Sequence, residues 1–174
     1  MPKAAKPGLR SRRLALEILI KIEKHQAYAN LALASAFKRC QLRQRDRAFV
    51  TALVNGTLRQ QLTIDAQLTG LLNRPLSKLP LLLKNILRQA LFQIDHMQDI
   101  PDSAVVDLAC DLASITGHPG QVRLVNAVLR NYLRQKPQGL RSTVDDQNPA
   151  ASMSLEYSAP EWLVSRWLSR WGET

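Results

Sequence analysis

The sequence predicts an all-α protein, a bundle of about seven helices followed by a linker and one further amphipathic helix. Three observations lead there. Leu and Ala dominate while aromatic residues make up only 5% of the chain, and helices favour the former as strands favour aromatic and β-branched residues. Apolar residues recur at i, i+3, i+4 spacing in one segment after another. Polar breaks holding glycine or proline separate the later segments. The length of 174 residues suits a single core, since one domain takes roughly 100–200 residues.

Residues 1–10, with Pro2, Pro7, Gly8 and basic side chains, read as a flexible basic tail. Ser11 is placed to cap a first helix, whose apolar stripe is Leu14, Ala15, Ile18, Leu19 and Ile22. A short second helix fits Tyr28 to about Lys38. A third opens near Arg43 with Phe49, Val50, Leu53, Val54, Thr57 and Leu58 inward. Gly56 within it costs about 1 kcal/mol relative to Ala, so it marks a close helix crossing or a bend. A fourth helix fits Thr63 to Leu72 and ends at Asn73-Arg74-Pro75.

The fifth helix is the clearest core element, with Leu83, Ile86, Leu87, Ala90, Leu91 and Ile94 on one stripe and Pro80 in its first turn. Asp102 or Ser103 caps a sixth, with Val105, Leu108, Ala109, Leu112 and Ile115 inward. A turn at Thr116–Gly120 leads to a seventh, lined by Val122, Val125, Asn126, Leu129, Tyr132 and Leu133. The bundle domain is thus expected over residues 11–135, and a linker over 136–157. Residues 158–174 hold the last helix, capped by Ser158. It carries Trp162, Leu163, Trp167, Leu168 and Trp171, an apolar face that needs a partner.

Charge is the sharpest functional signal. The chain has a formal net charge of +10. Residues 1–47 hold 12 Lys/Arg against 3 Asp/Glu, so nearly all the excess lies at the N-terminal end. The set is Arg10, Arg12, Arg13, Lys21, Lys24, Lys38, Arg39, Arg43, Arg45 and Arg47. Guanidinium groups grip phosphate bidentately. Arg43, Arg45 and Arg47 also fall near a helix start, where exposed backbone N–H groups favour anions. A localised cationic excess draws in polyanions, RNA above all. A solvated charged face is the plainer alternative.

Other chemistry is poorly supported. Asp95, Asp99, Asp102, Asp107 and Asp111 lack calcium-loop spacing and read as an exposed acidic face. Cys40 lies among arginines, but no base accompanies it. It reads as a partly buried thiol, and Cys110 as a packing residue. His25, His96 and His118 stand apart without ligand spacing, as surface or turn residues. Asn126 on an apolar stripe reads as a buried side chain bonding backbone. No glycine-rich phosphate cradle is present, so no cofactor is expected in this chain. No apolar run approaches the ~20 residues that span a bilayer, and no secretory signal opens the chain. A cytoplasmic setting is expected.

The order of several motifs resembles a known family. They are Arg12-Arg13-Leu14-Ala15-Leu16-Glu17-Ile18-Leu19, Arg45-Asp46-Arg47-Ala48-Phe49-Val50 and Val54-Asn55-Gly56-Thr57. Leu87-Arg88-Gln89-Ala90-Leu91-Phe92-Gln93-Ile94 and Val125-Asn126-Ala127-Val128-Leu129-Arg130 follow. Together they resemble the NusB-like helical domain. The tail Ser158-Ala159-Pro160-Glu161-Trp162-Leu163-Val164-Ser165-Arg166-Trp167 is similar to the segment joining that domain to the catalytic part of the bacterial ribosomal RNA small-subunit methyltransferase B (Sun/Fmu) family. That resemblance implies an RNA-binding accessory domain of an enzyme making 5-methylcytosine in 16S rRNA. S-adenosylmethionine and two catalytic cysteines would belong to an α/β domain absent from this chain. It also implies RNA on the first helix and its basic neighbours, mainly Arg12, Arg13, Arg45 and Arg47. The Trp162–Leu163–Trp167 face would dock a methyltransferase domain. Two other readings remain: a free-standing NusB-type antitermination factor that binds RNA and a ribosomal-protein partner, and a helical protein-interaction module without RNA.

Overall fold

The computed structural model describes residues 6–136 and 148–172. Among them it contains nine α-helices, one 3₁₀ turn and no strand. The helices are α1 (Leu9–His25), α2 (Ala29–Arg39), α3 (Gln44–Arg59), α4 (Gln61–Leu71), α5 (Leu81–His96), α6 (Asp102–Ser114), α7 (Pro119–Gln135), α8 (Pro149–Tyr157) and α9 (Glu161–Trp171). Among the described residues no helix is long and apolar enough to cross a membrane.

Local chemistry explains the starts. Pro80, Pro101 and Pro160 each stand immediately before a helix in an extended conformation with φ between −53° and −58°. The fixed ring supplies that geometry without a side-chain cap. Ser103 and Ser158 therefore do not cap α6 and α9, and Asp102 is the first residue of α6, well placed for the helix dipole. Ser158 instead ends α8 at φ 51° and accepts a hydrogen bond from the Leu62 N–H. Ser11 is no cap either. The chain turns into α1 three residues earlier, through Gly8 at φ 79°, a left-handed value that glycine adopts without Cβ strain.

The core lies between α1 and α7, and α5 runs through its middle. Every residue of α5 from Asn85 to Ile94 is buried. Leu83, Ile86, Leu87, Ala90 and Leu91 face inward as their spacing requires. Gly56 marks the close crossing of α3 with α5: a Cβ there would meet the Phe92 ring at 1.9 Å. Ile115 departs from expectation. It falls at the end of α6 and is 52% exposed, because the helix stops before its stripe completes another turn.

The expected linker is partly wrong. Residues 137–147 lie outside the described residues, but α8 follows at Pro149 and packs on α4. The Thr63 hydroxyl donates to the Leu155 carbonyl, and Asn148 caps α8 by accepting from the Ala151 N–H. The described part of the expected tail, residues 6–10, is ordered by contacts and by the start of α1 at Leu9. Lys6 forms an ion pair with Asp111 of α6 at 2.7 Å, while residues 1–5 lie outside the described residues.

Replacing Gly56 by Leu should destabilise the bundle by about 1–3 kcal/mol, the usual cost of overpacking. Urea unfolding measures it. An unchanged midpoint would mean that α3 and α5 are not in contact there.

Candidate nucleic-acid interface

The cationic residues divide into two groups that the sequence does not separate. Arg10, Arg13, Lys21, Lys24, Lys38, Arg39, Arg43, Arg45 and Arg47 are all exposed. Arg12 is not: it is 6% exposed. Its Nε donates to Gln93 Oε1 of α5 at 2.6 Å and its Nη1 to the Gly8 carbonyl. The guanidinium lies over the Phe49 ring of α3, 4.9 Å from the centroid. Burial pulls its pKa below the ordinary value, yet a guanidinium stays charged at any ordinary pH. Arg12 is a clamp holding α1, α3 and α5 together, which corrects its expected place on the RNA-facing surface. Gly8 is part of the clamp, for a Cβ on it would fall 2.5 Å from Arg12 Nη1.

On α1 the exposed group forms a stripe. Arg10, Arg13, Glu17, Lys21 and Lys24 are spaced three, four, four and three residues apart, which keeps them on one helical face. At 1.5 Å per residue the stripe is about 21 Å long. Glu17 interrupts it and pairs with Arg13 at 3.2 Å. Because both side chains are more than half exposed, that pair is weak and leaves Arg13 available.

At its N-terminal end the stripe meets a second element. Arg10 Nη2 donates to the Gln41 carbonyl at 3.4 Å, in the segment between α2 and α3. Arg43 and Arg45 follow at the start of α3. A cleft of about 390 Å³ lies between the two helix starts, lined by Gly8, Ser11, Arg43, Arg45 and Phe49 among others. Asp46 also borders it, but Ser11 Oγ donates to its carboxylate at 3.4 Å. Arg47 leans over the Phe37 ring of α2, 5.7 Å from the centroid, near Lys38 and Arg39. The structure therefore places Arg43 and Arg45 at this cleft beside the buried Arg12, and ties Arg10 to the segment before α3. Lys21 and Lys24 stand at the far end of the stripe.

A family model described as the NusB family matches residues 9–134. The chain belongs to the NusB family.

Relatives of two kinds resemble it. The chain is 38% identical to the probable ribosomal RNA small subunit methyltransferase B of Bacillus subtilis, over 92% of this chain and 35% of that protein. It is 34% identical to the Synechocystis protein of the same name, over 94% of this chain and 36% of that one. The chain thus spans about a third of the length of these curated relatives. It is also 31% identical to the transcription antitermination protein NusB of Desulforamulus reducens, over 72% of this chain and 89% of that protein. In fold it is similar to NusB of T. maritima, with a TM-score of 0.68 at 19% identity over 75% of this chain and 92% of that one.

What locks this NusB fold, and so the stripe, is a polar network that the sequence pattern does not announce. Arg88 of α5 is 4% exposed. It donates to both carboxylate oxygens of Asp65 on α4, at 2.7 and 2.6 Å, and to Glu23 of α1 at 2.8 Å. Asn85 and Lys84 also donate to Glu23. Burial alone would raise the Glu23 pKa, but the hydrogen bonds from Lys84 and Asn85 and the charges of Arg88 and Lys84 outweigh it and hold the carboxyl below its ordinary value. In sequence, the one hint is an arginine inside the fifth helix's apolar run.

The remaining candidates are structural. Asp95 accepts from the Tyr132 hydroxyl and pairs with Lys136. With Asp111 held by Lys6, only Asp99, Asp102 and Asp107 fit the expected exposed acidic face. Asn126 is half-buried and accepts from Arg130 Nε, not from backbone. Cys40 and Cys110 are partly buried against the core, and burial pushes the Cys110 thiol up. His25, His96 and His118 are exposed. Trp162 and Trp167 are 66% and 43% exposed, and Leu163 is half-buried.

The network gives a pH prediction. Glu23 is held below its ordinary pKa of 4.5, so its stabilising contribution is present above that value and disappears as pH falls through the folded-state pKa. Arg88→Met should cost about 2–4 kcal/mol near neutral pH, discounted for the partly exposed carboxylates, and should flatten the acid limb. Unfolding midpoints measured from pH 7 down to about pH 3 decide it. Equal acid sensitivity in both proteins would contradict the network.

Proposed function

We propose that this chain is the RNA-binding part of a ribosomal RNA small-subunit methyltransferase, and that its exposed basic stripe grips the phosphate backbone of 16S rRNA. One observation carries the reading. Of the nine exposed cations between Arg10 and Arg47, Arg13 alone has a carboxylate within 4.0 Å among the described residues. Unpaired surface guanidinium and ammonium groups release counterions when phosphates replace water around them, and that release drives polyanion binding. The α3 start adds backbone N–H groups beside Arg43 and Arg45. Bases are not the target of this stripe, since no aromatic ladder interleaves the cations.

The similarity to methyltransferase B supports the enzyme context. An alignment covering 92% of the chain necessarily runs through α8, which lies beyond the family-matched stretch ending at residue 134. In this reading the cofactor S-adenosylmethionine and the reacting groups belong to a separate methyltransferase domain. Trp162, Leu163 and Trp167 of α9 would dock that domain. The three tryptophans of α9 are exposed and Val164 is its one buried residue, so its apolar surface is largely uncovered. A second reading, an antitermination factor with a ribosomal-protein partner, draws on the similarity to D. reducens NusB. It leaves α8 and α9 without a role.

Replacing Arg10, Arg43, Arg45 and Arg47 together by Ala should weaken binding of a 16S rRNA fragment and flatten its salt dependence. The log–log slope should fall by about 0.7 for each single-strand phosphate that is no longer neutralised. Filter binding across a salt series measures both. Wild-type affinity and slope in the variant would remove these four arginines from the RNA surface.

A further inference from the structure

We propose that a second, separate cleft on this chain holds one nucleotide of single-stranded RNA, with its phosphate between Arg74 and Arg134. The inference rests on the RNA-binding reading above but uses different elements. The cleft lies where the segment after α4 meets α7, and has a volume of about 560 Å³. That is within the range of small-ligand sites, roughly 300–1,000 Å³. Leu71, Leu124 and Val128 form an apolar floor, and Asn73, Arg74, Asn131 and Arg134 stand around it. No carboxylate lines it.

The chemistry fits a nucleotide part by part. Arg74 is exposed and has no hydrogen bond or ion pair among the described residues. Arg134 Nη2 donates to Asn131 Oδ1 at 3.0 Å, which orients the guanidinium and leaves its other donors free. Gln135 donates to the same oxygen, so the Asn131 amide turns its N–H groups elsewhere. Two forked cations suit a phosphate, amides suit the edge of a base, and the aliphatic floor suits its face. A base paired in a duplex presents no free face, so the ligand is single-stranded. The helix behind the cleft favours this further. α7 carries Arg123, Arg130 and Arg134 and no Asp or Glu. These arginines are seven and four residues apart, on one exposed face. The strand can run along that face from the cleft.

The test uses the whole chain and a short fluorescein-labelled RNA, single-stranded or as a duplex, read by anisotropy. Two variants address the cleft. R74A/R134A removes the forks, and Ala127→Glu places a carboxylate in the cleft at an exposed helical position. Circular dichroism confirms that each stays folded. Each should weaken single-strand binding by about tenfold or more, the scale of charge-assisted contacts, and leave duplex binding unchanged. The R10A/R43A/R45A/R47A variant should weaken both. If the cleft variants bind the single strand as wild type does while the R10A/R43A/R45A/R47A variant is impaired, the cleft is overturned and the first RNA surface stands. If the wild-type chain binds neither RNA, both fall.

Discussion

The structure depends on the burial of the middle of α5, from Asn85 to Ile94. A helix buried on all sides must pair its charges with its neighbours, because an unpaired buried charge costs several kcal/mol. The neutral Gln89 side chain, by contrast, is buried there without a hydrogen-bond partner among the described residues. Arg88 takes its partners from α1 and α4, and Asn85 shares Glu23 with it. Gln93 takes Arg12 of α1. These bonds fix α1 at both ends, Arg12 near its start and Glu23 near its finish. One face of α1 is thereby turned to the core, and the opposite face is left as a stripe of four cations interrupted by Glu17. The binding surface is in this sense a by-product of how the centre of the bundle is satisfied.

The same constraint sorts charge by role. Arg12 and Arg13 are adjacent and chemically identical, yet one closes the interior and the other faces water. Treating them as a pair overstates the surface and hides a clamp. The sorting also concentrates the field. Cations turned to the interior are matched there by Gln93, Asp65 and Glu23, whereas those outside stay almost unmatched. A surface of that kind attracts phosphate through long-range attraction and counterion release more than through specific contacts. The cleft between Arg74 and Arg134 adds a place where one residue of a strand would be held individually.

Periodicity made the helices legible, and the glycine at 56 pointed to a close crossing or a bend, because both signals are local; that α5 crosses there is a tertiary fact. Arg12 was legible in principle. It precedes Ala15, Leu16 and Leu19 by three, four and seven residues, the spacing of a core-facing position, but its charge argued the other way. The partners of Arg88 were not legible. Glu23 and Asp65 are 65 and 23 residues away, and nothing in the chain's local pattern pairs them. Helix α8 was obscured for a different reason. Its nine residues have a weak amphipathic pattern, and its polar neighbours resemble a linker. Tertiary bonds from Thr63 and to Ser158 hold it on α4.

The division of cations into clamp and surface is the central claim, and arginine side-chain NMR tests it most directly. In a titration with a 16S rRNA fragment, the Nε–Hε signals of Arg10, Arg13, Arg43, Arg45 and Arg47 should shift. Those of Arg12 and Arg88 should exchange slowly with solvent and stay in place. An Arg12 signal that exchanges freely and moves with the others would contradict the account, as would surface signals that do not respond.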